Sequence, residues 1–148
     1  MGSSGTSGIG SSGTSGISGV GSSGTSGSAG VSISNVTFLL AVGTTLTVGL
    51  NKTRVIVPYI GTIQKAYAIS GTGPQGSDII FDINKNNVSI WNITPSNRLK
   101  ILDGQTYGNQ SNFDTTSIAE GDILSIDVDQ VGNTTPGGDI TVQLKIQI

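Results

Sequence analysis

Glycine recurs at every third position through the first 30 residues of the chain. The glycines fall into three blocks, and one residue is missing at each of two breaks, beside Ile9 and Val20. They are Gly2, Gly5, Gly8, Gly10, Gly13, Gly16, Gly19, Gly21, Gly24, Gly27 and Gly30. A collagen-type triple helix demands this period because only glycine fits at its crowded axis. The period therefore favours a collagen-like stalk built from three chains.

Two other interpretations of the segment stay open. Gly/Ser-rich sequences serve as flexible linkers, and GSSG repeats are also used as expression tags. The segment contains no proline, the residue that usually preorganises a collagen strand. A triple helix here would therefore need a trimeric head to hold its three chains in register.

The composition excludes several classes of function. The 148 residues include no cysteine and no histidine, and the net charge is −2 without any basic run. We therefore expect no cofactor, no metal and no nucleic-acid partner. The longest apolar run, FLLAV at 38–42, is too short to span a bilayer. Met1 leads directly into GSSG rather than into a signal peptide, so we expect a chain that is made in a cytoplasm.

From Val31 onward the sequence is typical of β-strands with turns between them. We predict strands at 31–42, 44–50, 54–60, 61–70, 77–84, 88–91, 98–102, 122–131 and 139–148. Only 114–121 resembles a turn of helix. The pattern predicts an all-β fold, an antiparallel β-sandwich of the jelly-roll type. We divide the chain into a stalk (1–30), a β-rich neck or first strands of the head (31–58), and the head itself (59–148).

The alternation of apolar and polar residues predicts which side chains are buried. Asp82 and Asp127 fall on solvated strand faces, whereas Leu46, Val48 and Leu50 share one apolar face. The inward positions include four residues that we expect to form the core or the contacts of a trimer: Ile79, Phe81, Val142 and Leu144.

Catalysis is disfavoured by the residue types present. A Ser-His-Asp or Cys-His arrangement cannot form without histidine and cysteine. Paired carboxylates of the glycosidase kind are conceivable at Asp127 and Asp129, but residues two apart on a strand are more typical of a solvated face. We therefore predict that the protein is not an enzyme.

Two aromatic residues are candidate ligand contacts. Trp91 closes the alternating run VSIW, which favours a place in the core or in a subunit contact. Tyr107 lies in the polar stretch 103–112, which we predict to be a loop, and it is the better candidate for an exposed contact.

Two segments of the sequence resemble a known domain. They are GTGPQGSDIIFDINKNNVSIW (71–91) and IAEGDILSIDVDQVGNTTPGGDITVQLKI (118–146). Together they resemble a β-sandwich domain found at the C-terminal ends of bacteriophage virion structural proteins, and the likeness covers about 60–148. The chain departs from that pattern at KNN, where many relatives have a glycine. EGDILSIDV (120–128) is also similar to a hairpin of tumour-necrosis-factor-like heads, which trimerise through flat apolar sheet faces.

The resemblance implies a non-enzymatic virion protein, made in the host cytoplasm. We expect a homotrimeric fibre or a head or tail decoration whose partners are other virion proteins and host-surface glycans, without membrane insertion. One alternative is a subunit of a microbial extracellular filament or surface appendage, assembled by strand addition through ISNVTFLLAV (33–42). A separate carbohydrate-binding module is a third possibility.

Overall fold

The computed structural model describes residues 30–148, so the predicted stalk lies outside the described residues except for Gly30. A single 3₁₀ turn, Pro95–Asn97, is the one helical element in this part of the chain. The strands are β1 (Ile33–Thr45), β2 (Gly49–Ile56), β3 (Gly61–Thr72), β4 (Ile79–Lys85), β5 (Val88–Ser89), β6 (Leu99–Ile101), β7 (Tyr107–Gln110), β8 (Ser117–Ile118), β9 (Ile123–Gln130) and β10 (Gly138–Gln147).

The strands form two antiparallel sheets. Sheet A has the order β1-β10-β3-β7, with the short β8 also paired to β3. Sheet B has the order β2-β9-β4-β5, with β6 also paired to β4. The two sheets share one core, so the predicted antiparallel β-sandwich is confirmed.

Residues 31–58 supply one strand to each sheet. In β1, Val36 lies opposite Leu144 of β10, and Phe38 lies opposite Val142. β2 pairs with β9 in sheet B. The segment predicted as a neck or as the first strands of the head is thus built into the sandwich.

The core is formed by inward side chains of both sheets together with Trp91. Ile79 and Phe81 come from β4, and Val142 and Leu144 come from β10; all four are completely buried within the chain. Because no surface of these side chains is exposed, they cannot supply trimer contacts. Any contact between copies must use other, exposed residues.

The predicted strand 44–50 is interrupted. β1 continues to Thr45, and the backbone N–H of Leu46 donates a hydrogen bond to the carbonyl oxygen of Gly137 at 2.8 Å. The chain then crosses to sheet B, where β2 begins. Leu46 is buried but Val48 and Leu50 are exposed, so the three do not share an apolar face.

Two further expectations about local structure are corrected. Residues 114–121 contain β8 rather than a helical turn, and a tight turn follows in which Asp122 accepts a hydrogen bond from the N–H of Ala119. Aspartate side chains that bind nearby backbone groups compete with helix formation. The stretch 103–112 contains β7, a strand of polar sequence that is held by its pairing with β3.

Adjacent leucines in β1 provide a test of this register. Leu40 is 6 % exposed and Leu39 is 61 % exposed. We expect Leu40→Ala to lower the free energy of unfolding by about 2 kcal/mol or more, because it leaves a cavity in the core. Leu39→Ala should change it by less than about 0.5 kcal/mol. Urea denaturation of both variants measures the difference, and equal losses would contradict the register of β1.

Candidate functional site

β7 places Tyr107 on the outer face of sheet A. Tyr107 lies opposite Ile69 of β3, and Asn109 lies opposite Tyr67. Residues directly opposite each other project from the same face of a sheet. The two tyrosines and Ile69 are therefore neighbours on that face, and Tyr107 is 52 % exposed.

Glycine at position 108 allows this strand to lie where it does. A Cβ atom at Gly108 would overlap the carbonyl oxygen of Lys100, on β6 of the other sheet. Only a residue without a side chain lets β7 approach β6 so closely. Gly108 thus fixes the position of Tyr107 at the edge of the sandwich.

A surface cavity of about 520 Å³ lies on this outer face. All four main strands of sheet A contribute to it. Its lining includes Ile33 and Asn35 from β1, Tyr67 and Ile69 from β3, Tyr107 from β7, and Gln143 and Lys145 from β10. A mostly apolar concavity with a few polar groups is the usual form of a small-ligand site.

Two lysines lie opposite each other on the same face. Lys65 of β3 pairs in register with Lys145 of β10. The ammonium group of Lys65 lies 5.4 Å from the centre of the Tyr67 ring, within the range of a cation–π contact. Neither lysine forms a salt bridge within residues 30–148. Residues 1–29 contain no acidic side chain that could neutralise them.

Trp91 is not part of this face. Its side chain is completely buried, and its indole Nε1–H donates a hydrogen bond to the carbonyl oxygen of Asn112 at 2.7 Å. The Phe113 ring packs against it, with the ring centres 5.5 Å apart. Trp91 therefore serves the core and cannot contact a ligand.

The carboxylate of Asp82 is buried rather than solvated, because the side chains of Ser89 and Arg98 cover it. Only 5 % of Asp82 is exposed. One of its oxygens accepts a hydrogen bond from the Ser89 hydroxyl. Arg98 bridges Asp82 and Asp129, with N–O distances of 2.8 and 3.1 Å. Burial raises the pKa of Asp82, while Ser89 and Arg98 oppose that rise.

Asp127 is also buried, contrary to the sequence expectation. A break in the pairing of β2 with β9 lets the backbone N–H of Asn51 donate to one oxygen of Asp127 at 2.6 Å. The amide of Asn84 donates to the other oxygen at 2.9 Å. Both carboxylate oxygens of Asp127 are therefore held by hydrogen bonds from the protein.

No family model and no curated protein matches this chain, so the site is interpreted from its own geometry. Among residues 30–148, no group of three or more acidic side chains is arranged to hold a metal ion. The same residues include no helix long and apolar enough to cross a membrane.

The raised pKa of Asp82 predicts how stability depends on pH. The folded chain holds this proton to higher pH than the unfolded chain, so the contribution of Asp82 to stability decreases as pH rises above about 4. We expect the free energy of unfolding of Asp82→Asn, relative to wild type, to increase between about pH 4 and pH 7. Urea denaturation across that range measures the trend.

Asp114 is a control because its pKa is shifted in the opposite direction from that of Asp82. Hydrogen bonds from the backbone and hydroxyl of Thr94 and from the backbone of Ile93 lower the pKa of Asp114. Its stabilisation is present above about pH 4 and is lost as pH falls through its folded pKa. Relative to wild type, Asp114→Asn should therefore become less stable as pH rises. The same trend in both variants would contradict the assignment.

Proposed function

We propose that this chain is a non-enzymatic structural protein of a bacteriophage virion. It would be a trimeric fibre subunit or a head or tail decoration that displays a β-sandwich head on a glycine-triplet stalk. One observation carries the proposal: the glycine period ends at Gly30, and β1 begins three residues later at Ile33. The repeat therefore stops where the head starts, as a stalk joined to a head requires.

We assign the head to the jelly-roll type. Its support is the strand order, β1-β10-β3-β7 in one sheet and β2-β9-β4 in the other, where β6 also pairs with β4. Along the chain these strands cross repeatedly between the sheets, as in a sandwich wound from Greek keys. Jelly rolls occur in viral capsid and lectin domains, so this topology suits a protein of structure or attachment.

The two ends of the head lie together. The backbone N–H of Ile148 donates a hydrogen bond to the carbonyl oxygen of Ser32 at 2.9 Å. Val31, Ile33 and Ile148 are exposed apolar side chains at this end, where the stalk would join. Copies drawn together by a stalk would bury these side chains against one another. Three heads held in this way would multiply weak contacts through avidity.

The alternative of a filament subunit is supported by the edge of sheet A. β1 is a strand of 13 residues that pairs on one side with β10 and with no other described strand. It contains no charged residue and no proline, the devices that normally protect a sheet edge from pairing with another chain. A strand from a neighbouring subunit could add at this edge.

The mass of the particle in solution tests the trimer. We expect the full chain and a version of residues 31–148 both to form particles of three times the chain mass, which is 15.0 kDa for the full chain. Circular dichroism at low temperature should show a triple-helix signal only for the full chain, because only that chain contains the glycine triplets. Native mass spectrometry measures the first expectation.

The shortened chain is a suitable comparison because it keeps both sheets and the core that the structure describes for residues 30–148. Monomers of both chains would overturn the trimeric stalk. Filaments that lengthen at low protein concentration, and that Thr37→Pro in β1 abolishes, would favour assembly through β1 instead.

A further inference from the structure

We infer that the outer face of sheet A binds an acidic polysaccharide, one that carries carboxylates. The site comprises the cavity beside Tyr67 and Tyr107 and the opposed pair of Lys65 and Lys145. This inference rests on the proposed role in attachment, since it names the class of ligand that the displayed head would recognise.

The lysine pair is the first reason. Like charges directly opposite each other on adjacent strands destabilise a sheet. Here no carboxylate of residues 30–148 forms an ion pair with Lys65 or Lys145, although both lie beside the cavity. An anion bound between the two ammonium groups would relieve their repulsion and gain two charge-assisted contacts.

The neighbouring side chains fit a sugar. Tyr107 presents an exposed ring whose apolar face suits the C–H face of a sugar ring and whose hydroxyl can hydrogen-bond. Asn35 and Gln143 add amide groups for sugar hydroxyls. The ammonium of Lys65 lies only 5.4 Å from the Tyr67 ring centre. A cation therefore already lies over the Tyr67 ring, and Tyr107 is the exposed ring on which a sugar could stack.

A second cavity extends the same site. It has a volume of about 300 Å³ and shares Tyr107 with the first, and its lining includes Arg98 and Lys100. Arg98 is paired with Asp82 and Asp129, so Lys100 is the basic residue of this cavity that forms no salt bridge within residues 30–148. Tyr107 thus lies between two cavities that each contain such a lysine, in a chain whose net charge is −2. An anionic polymer would be repelled by the protein as a whole, so its binding would depend on this local arrangement.

Charge argues against a second copy of the chain as the occupant. Packing this face against itself would bring together the lysine pairs of two or three copies. The one acidic side chain on the outer face of β10 is Asp139, near the far end of the strand, and it already accepts a hydrogen bond from the backbone N–H of Gly43. The face therefore offers little to neutralise those lysines.

Isothermal titration of the full chain with an oligogalacturonate of about eight sugars tests the inference, with a neutral malto-oligosaccharide of the same length for comparison. We expect binding of the acidic oligomer alone, weakened by added salt. Lys65→Gln with Lys145→Gln should weaken it about tenfold or more, and so should Tyr107→Ala. The matched control, Lys52→Gln with Arg54→Gln, removes two charges from β2 and should leave the affinity within about twofold.

Melting temperature and native mass of each variant separate loss of binding from loss of fold. Several results would overturn the site: no binding of the acidic oligomer, equal binding of the neutral one, or equal weakening by the control. A change of native mass in Tyr107→Ala would show that the face is an interface between copies, and would also overturn it.

The outcomes distinguish this site from the proposed virion role. If the protein is a trimer that does not bind oligogalacturonate, the ligand site is wrong and the trimeric stalk is supported. If the protein is a monomer that binds oligogalacturonate through Lys65 and Lys145, the proposed trimer is wrong and the ligand site is supported.

Discussion

The pairing of the first strand with the last is the interaction on which the sandwich depends. β10 is the central strand between β1 and β3, so sheet A cannot form until the C-terminal residues of the head are in place. Where β1 pairs with β10, Val36 lies opposite Leu144 and Phe38 lies opposite Val142, and all four side chains are buried in the core. These contacts join residues about a hundred positions apart. Sheet A is therefore stable only when its contacts compensate for the entropic cost of closing such long loops. The same pairing brings both ends of the head together, on which any stalk-and-head arrangement depends.

Sequence periodicity was sufficient to predict the buried residues where a strand has one buried face and one exposed face. β10 alternates without a break, and its inward residues follow directly from its sequence. In β4 and β9 the same alternation predicted the core but misplaced Asp82 and Asp127. The groups that bind those aspartates lie on other segments of the chain: Ser89 and Arg98 for Asp82, and the irregular start of β2 for Asp127. The alternation of apolar and polar residues distinguishes the two faces of a strand, but it does not show which face another segment of the chain covers.

The candidate site was predictable only in part. Tyr107 could be singled out because it is an aromatic residue in a polar stretch, although that stretch is a strand held by pairing rather than by alternation. The opposition of Lys65 and Lys145 could not be foreseen, because it depends on the register of two strands about 80 residues apart. That register shifts by one residue next to Lys145, where β3 contains a bulge. A single extra residue decides which side chains face one another across the sheet.

The two sheets differ in what their outer faces offer to other molecules. On sheet B, Arg98 forms salt bridges with Asp82 and Asp129, and Ser89 donates a hydrogen bond to Asp82. Removing Arg98 would leave the buried carboxylate of Asp82 without its counterion, which would destabilise the fold. On sheet A no segment of residues 30–148 covers the cavity beside Tyr107. The outer faces therefore differ: on sheet B the carboxylates of Asp82 and Asp127 are bound within the chain, whereas on sheet A the cavity lies beside two lysines that form no salt bridge within residues 30–148.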